Sequence, residues 1–307
     1  MTDQLTFATR PSALARWQTK YVISELKAQW PGLICKETII TTKGDRVLDK
    51  PLPMIGGKGL FTYELELALL EERVDAAVHS LKDLPTDNAS GLIVDVFPQR
   101  ADVRDVWICP QGYSLDDLPA GSIVGTSSTR RAAQLLAYRS DLKVEPIRGN
   151  VDTRIRKVIE GLYDAIILAA AGVTRLGLDE HITQYLPFDV MLPAPGQGAL
   201  GIQYRVGDTE TPRLLKAIDH TPTRLAVTAE RAFLAALGGG CSLPVGALAC
   251  VDGDTIHLQG VIAAPDGSRV LRVSDSGTDA QPLGETLAQK SLVEGANDLL
   301  SPTAVVK

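Results

Sequence analysis

Apolar residues recur along this chain in short runs punctuated by glycine, proline and charge, and the runs fall into three stretches of different character. In the first, residues 5–9 read as a strand. A helix follows from about Ser12, with Leu14, Trp17, Tyr21 and Val22 on one stripe, and Pro31-Gly32 ends it. Residues 34–41 read as a strand, 43–59 as a polar loop containing glycine and proline, 61–72 as a helix, and 74–78 as a buried strand leading into His79-Ser80. The second stretch repeats this plan: a strand at 122–125, a helix opened by Ser127-Ser128-Thr129 at Arg130, a strand at 144–147, a loop at Arg148-Gly149-Asn150, a helix over 152–160 and a buried strand at 164–169. Two local matches carry the repeat. Ala8-Thr9-Arg10-Pro11-Ser12 parallels Thr126-Ser127-Ser128-Thr129-Arg130, and Val74-Asp75-Ala76-Ala77-Val78 parallels Tyr163-Asp164-Ala165-Ile166-Ile167. Two similar α/β units predict two lobes with a crevice between them, where ligands gather beyond the carboxyl ends of the strands.

The third stretch changes character. Thr221-Pro222 opens a helix with proline at its first position; Leu225, Ala229, Ala232, Phe233, Ala236 and Leu237 form its apolar stripe, and Gly238 stops it. Strand-like runs at 245–251, 255–264 and 269–274 are joined by Asp252-Gly253 and Asp266-Gly267, both hairpin signals, and a helix over 284–300 follows. This is the pattern of a small α+β domain, an antiparallel sheet with helices on one face.

A chain of 307 residues, 45% hydrophobic and 22% charged, supports two or three domains with a substantial core. The longest apolar run, 165–173, is too short to span a bilayer, and the first residues carry neither a basic nor an apolar leader region. Four separated cysteines without a CxxC and four scattered histidines suggest neither a disulfide framework nor a zinc site, which points to a reducing cytoplasm and no metal. The net charge of -6 argues against nucleic acid. Yet arginines recur in polar, glycine-containing loops: Arg10, Arg130, Arg131, Arg148, Arg154 and Arg175. Each alone reads as a surface residue with its own carboxylate. Two Ser/Thr-Arg helix starts together suggest a small ligand with several carboxylates, because helix N-termini and guanidinium groups both bind anions.

Three further features carry candidate chemistry. Cys241 closes Gly238-Gly239-Gly240, so its thiol is either a small buried hydrophobe or an open attachment point. Asp83, beside Lys82 after a strand end, is either half of a surface ion pair or a carboxylate able to hold a cation or move a proton. Lys58 in Gly56-Gly57-Lys58-Gly59 is not in a Walker loop; it belongs to a mobile segment and either covers an anion or is solvated.

Seven motifs in order then resemble the porphobilinogen deaminase (hydroxymethylbilane synthase) family over nearly the whole length: Thr9-Arg10-Pro11-Ser12-Ala13-Leu14-Ala15, Gly57-Lys58-Gly59-Leu60-Phe61, His79-Ser80-Leu81-Lys82-Asp83-Leu84-Pro85, Val124-Gly125-Thr126-Ser127-Ser128-Thr129-Arg130-Arg131, Arg148-Gly149-Asn150-Val151-Asp152-Thr153-Arg154, Leu192-Pro193-Ala194-Pro195-Gly196-Gln197-Gly198-Ala199 and Gly239-Gly240-Cys241. The resemblance implies a transferase that condenses four porphobilinogen molecules head to tail, releasing ammonia, to give the linear tetrapyrrole hydroxymethylbilane. Elongation would run on a dipyrromethane cofactor bound through a thioether to Cys241. Asp83 would be the catalytic carboxylate. Ser80, Lys82, Asp83, Thr126, Ser128, Arg130, Arg131 and Arg148 would hold the cofactor; Arg10, Ser12, Phe61, Arg148, Arg154, Arg175 and Gln197 would hold the substrate.

The resemblance also implies three α/β domains, the first two lobes like type II periplasmic binding proteins and the third a small α+β domain. The expected division is 1–100 plus 198–218, 101–197, and 219–307 with the attachment cysteine. The expected setting is a cytoplasmic monomer in heme biosynthesis, acting on a small molecule without membrane or nucleic acid, with a transient hand-over to the next enzyme. The segment 86–91, and Val103 where proline is common, depart from the family pattern and affect loop shape rather than chemistry.

Three rivals are weaker. A two-lobed binding protein for a dicarboxylate gives Cys241 no role. A transcriptional regulator lacks a helix-turn-helix with basic contacts. A cysteine hydrolase pairing Cys241 with His79 or His181 lacks a motif that orients the histidine.

Overall fold

The computed structural model describes residues 4–46, 60–239 and 243–300. The chain divides into two compact units, one of 1–101 with 198–224 and one of 102–197 with 225–307.

In the first unit, strands β1 (Gln4–Thr9), β2 (Ile34–Ile39), β3 (Ala76–Ser80) and β4 (Leu92–Val96) are joined by β10 (Leu200–Arg205), in the order β2-β1-β3-β10-β4. β1 runs parallel to β2 and β3, and β10 runs antiparallel to both its neighbours. Helix α1 (Ala13–Gln29) packs with β1, β3 and β10 in one core around Phe7, Val22, Leu26, Val78 and Ile202. The short helices α2 (Lys43–Arg46), α3 (Tyr63–Leu70) and α7 (Glu210–Leu215) also belong to this unit, and α3 supplies Leu65, Ala68 and Leu69 to a second core. A sheet covered on both faces needs continuous apolar runs, which explains Ala76-Ala77-Val78. The predicted α1 stripe is only partly correct. Ala15, Gln18, Thr19, Val22 and Leu26 form the buried face, while Trp17 is exposed and stacks on Tyr21 with ring centroids 5.4 Å apart.

The second unit contains a sheet of the same plan: β5 (Asp105–Ile108), β6 (Ile123–Gly125), β7 (Lys143–Glu145), β8 (Ala165–Ala169) and β9 (Gln184–Tyr185), in the order β7-β6-β8-β5-β9. β6 is parallel to β7 and β8; β5 is antiparallel to β8 and pairs with β9. Helices α4 (Thr129–Tyr138), α5 (Val151–Ile159) and α6 (Ala170–Thr174) belong to this lobe. In both sheets the strand beside the third comes from elsewhere in the chain, β10 in one and β5 in the other.

The repeat is exact enough to align residue by residue. Asp75 Oδ2 accepts the Thr6 N–H at 2.7 Å, and Asp164 Oδ2 accepts the Ile123 N–H at 2.7 Å. Phe7 then pairs with Ala76 as Val124 pairs with Ala165. Hence the predicted match of Asp75 with Asp164 corresponds to one shared device, whereas the other match is off by one: Ala8 aligns with Gly125, not Thr126. The loop to the helix cap is also one residue longer in the first lobe, and the caps that align are Ser12 and Ser128. The sequence pattern gave no strand for β4, β5, β9 or β10, the antiparallel additions to each sheet.

The third sheet is an antiparallel meander of β11 (Val245–Asp252), β12 (Thr255–Ala263) and β13 (Val270–Gly277). Gly253 and Gly267 take positive φ in its two turns, as Asp-Gly hairpins require. Helices α8 (Thr221–Ala236), α9 (Ala280–Val293) and α10 (Ala296–Leu300) flank it, with Phe233, Leu258, Ile262 and Leu287 in the core. Pro222 is the second residue of α8 rather than the first. The last predicted helix starts four residues earlier, at Ala280, and is divided by Gly295 at φ +99. Gly284 is where α9 meets α8, since a Cβ there would lie 2.4 Å from the Ala229 carbonyl oxygen.

Candidate active site

In the first lobe, the Ser12 hydroxyl caps α1 by accepting the Ala15 N–H. Arg10, two residues earlier, turns its guanidinium onto Asp45 of α2, donating from Nε at 3.2 Å and from Nη2. Its Cζ sits 4.3 Å from the centroid of the Phe61 ring. Asp45 also accepts from the Thr42 hydroxyl and amide. Burial pushes the Asp45 carboxyl up, but the bonds from Arg10 and Thr42 outweigh it and hold it below the usual range. The structure thus joins Arg10 and Phe61 and adds Asp45, which sequence reasoning missed.

At the end of β3 the chain turns through a 3-10 segment, Leu81–Asp83, fixed by the Leu81 N–H donating to the Ala199 carbonyl at 3.1 Å. This turn exposes Asp83 and leaves Lys82 half-buried. Ser80 Oγ accepts from Gln18 Nε2 at 2.8 Å. His79 is buried, and its Nε2–H donates to Gln203 Oε1 at 3.1 Å. Burial lowers the imidazole to about 4, against the opposing bond from Gln203, so the ring is neutral near pH 7.

In the second lobe, Ser128 caps α4 by accepting the Arg131 N–H, and Thr126 Oγ1 accepts the Ser128 N–H. The first turn of α4 carries Arg130 and Arg131, both buried, and both guanidinium groups meet the fully buried Asp105 at the start of β5. Arg131 donates to Asp105 Oδ1 from Nε (3.1 Å) and Nη2 (2.7 Å), and to the Ile167 carbonyl from Nη1. Arg130 Nη1 lies 2.8 Å from Asp105 Oδ2 as an ion pair and donates to the Leu192 carbonyl at 2.6 Å. Gln197 Nε2 donates to Asp105 Oδ1 and to the Val103 carbonyl. Burial pushes the Asp105 carboxyl up, but the two guanidinium charges overcome it and keep the acid ionised far below the usual range. Arg130 Nε is buried and has no hydrogen-bond partner.

Arg148 begins a loop in which Gly149 takes φ +120. The loop is held by α5: Arg154 Nε donates to the Gly149 carbonyl at 2.7 Å, and Lys157 Nζ to the Arg148 carbonyl at 3.0 Å. Arg175 follows α6 and is half-buried. Cys241 and Lys58 lie outside the described residues, as does most of the 43–59 loop.

The structure therefore groups Arg130, Arg131 and Gln197 around Asp105, and Thr126 with Ser128. Asp105 was missed; its one sequence signal is an acid heading the otherwise apolar run Val106-Trp107-Ile108, in a chain with paired arginines to neutralise. Two guanidinium groups and one carboxylate leave one net positive charge in a buried cluster, with one N–H unpaired. That suits a bound carboxylate. Among the described residues no group of three or more His, Cys, Asp or Glu could hold a metal, and no helix is long and apolar enough to cross a membrane.

Comparison with known proteins agrees with this chemistry. Residues 5–213 match the family model described as "Porphobilinogen deaminase, dipyromethane cofactor binding domain", and residues 224–292 match "Porphobilinogen deaminase, C-terminal domain". A porphobilinogen deaminase of Brevibacillus brevis is 49% identical over 95% of this chain and 95% of its own. Those of Pelotomaculum thermopropionicum (49% identical over 98% of this chain and 97% of its own) and Roseiflexus castenholzii (51%, over 98% and 100%) are similar. Family models over both parts of the chain and relatives at about half identity over nearly its full length establish that it belongs to the porphobilinogen deaminase family, transferases that join four porphobilinogen molecules into hydroxymethylbilane on a dipyrromethane cofactor.

Proposed function

We propose that the reaction is divided between one exposed carboxylate and a set of cations. Asp83 acts on the reacting atoms. Each coupling breaks the C–N bond of a substrate aminomethyl group and forms a C–C bond to the free α-carbon of the chain's terminal pyrrole; that carbon loses its proton, and the amine leaves as ammonia. Positive charge develops on the methylene carbon as ammonia departs, and a fixed carboxylate stabilises it most once the bound substrate has displaced water. Asp83 suits this role because it ends the 3-10 turn that follows β3 and is open to an incoming ligand. The dipyrromethane, when bound through Cys241, supplies a tethered primer, so each coupling gains the advantage of a pre-positioned partner.

Arg130, Arg131 and Arg148, with Ser80, Lys82, Thr126 and Ser128, hold the cofactor's carboxylates. Arg10, Ser12, Arg148, Arg154, Arg175 and Gln197 hold the incoming substrate, with Phe61 against a ring and Lys58 on the covering loop. The observation that carries the reading is the buried Arg130–Arg131–Asp105 cluster, whose excess positive charge lies inside an acidic protein. The proposed domain division is 1–100 with 198–218, 101–197 and 219–307. The proposed setting is a cytoplasmic monomer that passes its product transiently to the next enzyme.

Intact-protein mass spectrometry tests the attachment. The wild-type mass should exceed the polypeptide by one dipyrromethane, and Cys241→Ser should lack the increment. Active enzyme with unmodified Cys241 would defeat the proposal.

A further inference from the structure

The alignment of the two lobes isolates a second acid with a different task. Ser12 and Ser128 cap their helices at equivalent positions, each accepting from the third helical residue, so Leu14 and Ala15 in the first lobe correspond to Arg130 and Arg131 in the second. In the same alignment Ser80 corresponds to Ala169. Leu200 pairs with Ser80 and Asp105 pairs with Ala169, so Leu200 corresponds to Asp105. One scaffold thus carries Leu-Ala-Leu at these positions in one lobe and Arg-Arg-Asp in the other. The fold does not need the charges, and burying three of them is costly even when they are paired.

The trio's internal bonding is unequal. Asp105 Oδ1 takes two donors from Arg131 and one from Gln197, and the remaining Arg131 nitrogen reaches Ile167. Arg130 Nη1 faces Asp105 Oδ2 at 2.8 Å, an oxygen that accepts no hydrogen bond, and Arg130 Nε is buried without an acceptor. Without Asp105, two adjacent buried cations would repel each other and turn toward solvent. With it, one excess charge stays in place behind a defined N–H.

We propose that Asp105 is the positioning residue of the cofactor site: it braces Arg131, cancels one of the two cationic charges, and holds Arg130 with an N–H available to a pyrrole carboxylate of the dipyrromethane. This rests on the cofactor reading above, and the test separates the two.

Three full-length proteins decide it, each measured by intact mass for the share of molecules bearing the dipyrromethane increment and by thermal melting of the monodisperse fraction. Asp105→Asn keeps shape and removes charge; the bearing fraction should fall about tenfold, as when a partner that orients a ligating group is lost. Phe7→Leu, a core change in the first lobe, controls for stability; it should lower the melting midpoint and leave the bearing fraction at the wild-type level. The triple variant Asp105→Leu, Arg130→Leu, Arg131→Ala transplants the first lobe's residues; it should fold with a midpoint no lower than wild type and carry no increment. Folded Asp105→Asn with wild-type occupancy overturns the proposal, and so does a triple variant that cannot fold, because the trio would then be structural. If Asp105→Asn does not fold but the triple variant does, the charges serve one another rather than the scaffold, as proposed. A wild-type protein without the increment instead defeats the underlying cofactor reading.

Discussion

The two lobes share a strand order and an aspartate that clamps the first strand, yet they place buried polarity in complementary positions. In the first lobe β3 and β10 enclose the pair His79–Gln203; the alignment that matches Asp75 with Asp164 puts Leu168 and Ile108 there in the second. Conversely, the second lobe buries Arg130, Arg131 and Asp105 where the first has Leu14, Ala15 and Leu200. The strand ends differ as well. The first lobe continues from β3 into Ser80, Lys82 and the exposed Asp83, while the second continues from β8 into the alanines of α6. A repeated scaffold leaves polar substitutions free to mark function, because its other copy records what the fold alone requires.

The comparison separates an exposed acid that does chemistry, Asp83, from a buried acid that does positioning, Asp105. The sharpest way to break it is Asp83→Asn. Removing charge from an exposed residue should leave thermal stability within the ±0.5 kcal/mol or so usual for surface changes. Turnover should fall by about a thousandfold, the upper range for losing one preorganised electrostatic contact to a transition state. Single-turnover kinetics beside a melting curve would decide. A variant that melts early and turns over at a proportionate rate would make Asp83 structural and erase the distinction.

A second test uses acidity. His79 has a buried leucine as its counterpart, so any pH dependence it causes belongs to the first lobe alone. Burial lowers its imidazole to about 4 in the folded protein, while an unfolded chain titrates near 6.5. The folded state therefore resists protonation that the unfolded state accepts. The stability His79 contributes is fully present above pH 6.5 and is lost as pH falls to about 4, a loss of about 3 kcal/mol. Denaturant unfolding of wild type and His79→Gln at pH 7.5 and 4.5 should show the wild type losing more by roughly that amount. Equal losses in both proteins would mean that the folded protein protonates His79 as readily as the unfolded chain does, and the polar contrast between the lobes would have no consequence for acid stability.

Much of this was legible in the sequence, for physical reasons that differ by residue. The parallel strands β1, β3, β6 and β8 read clearly, because burial on both faces demands uninterrupted apolar runs. The Ser128 cap and the Asp-Gly hairpins read clearly because their chemistry is local. Trp17 misled because an aromatic at helical spacing reads as core, whereas here it stacks on Tyr21 at the surface. β5 and β10 were invisible because their pairing is set by strands distant in sequence, and Asp105 in front of β5 looks like a loop residue until Arg130 and Arg131 are brought to it. The arginines could be nominated from sequence; the acids that hold them, Asp45 and Asp105, could not.

The smallest predicted effect tests the alignment itself. Asp75 and Asp164 each accept the amide of the residue one position before the strand partner of Ala76 or Ala165, at 2.7 Å in both lobes. A hydrogen bond to a charged acceptor is worth about 1.5–3 kcal/mol when buried, and both sites are only partly so; replacing either acid by alanine should cost about 1–2 kcal/mol. Asp75 also lies 3.5 Å from Arg205, an ion pair that its counterpart does not make among the described residues, so Asp75→Ala should cost slightly more, by less than ~1 kcal/mol, and the excess should shrink in high salt. Matched melting curves with and without salt would read both effects. If one substitution destabilised while the other did not, the clamp would not be a common device, and the residue-by-residue equivalence that sets Leu200 against Asp105 would lose its anchor.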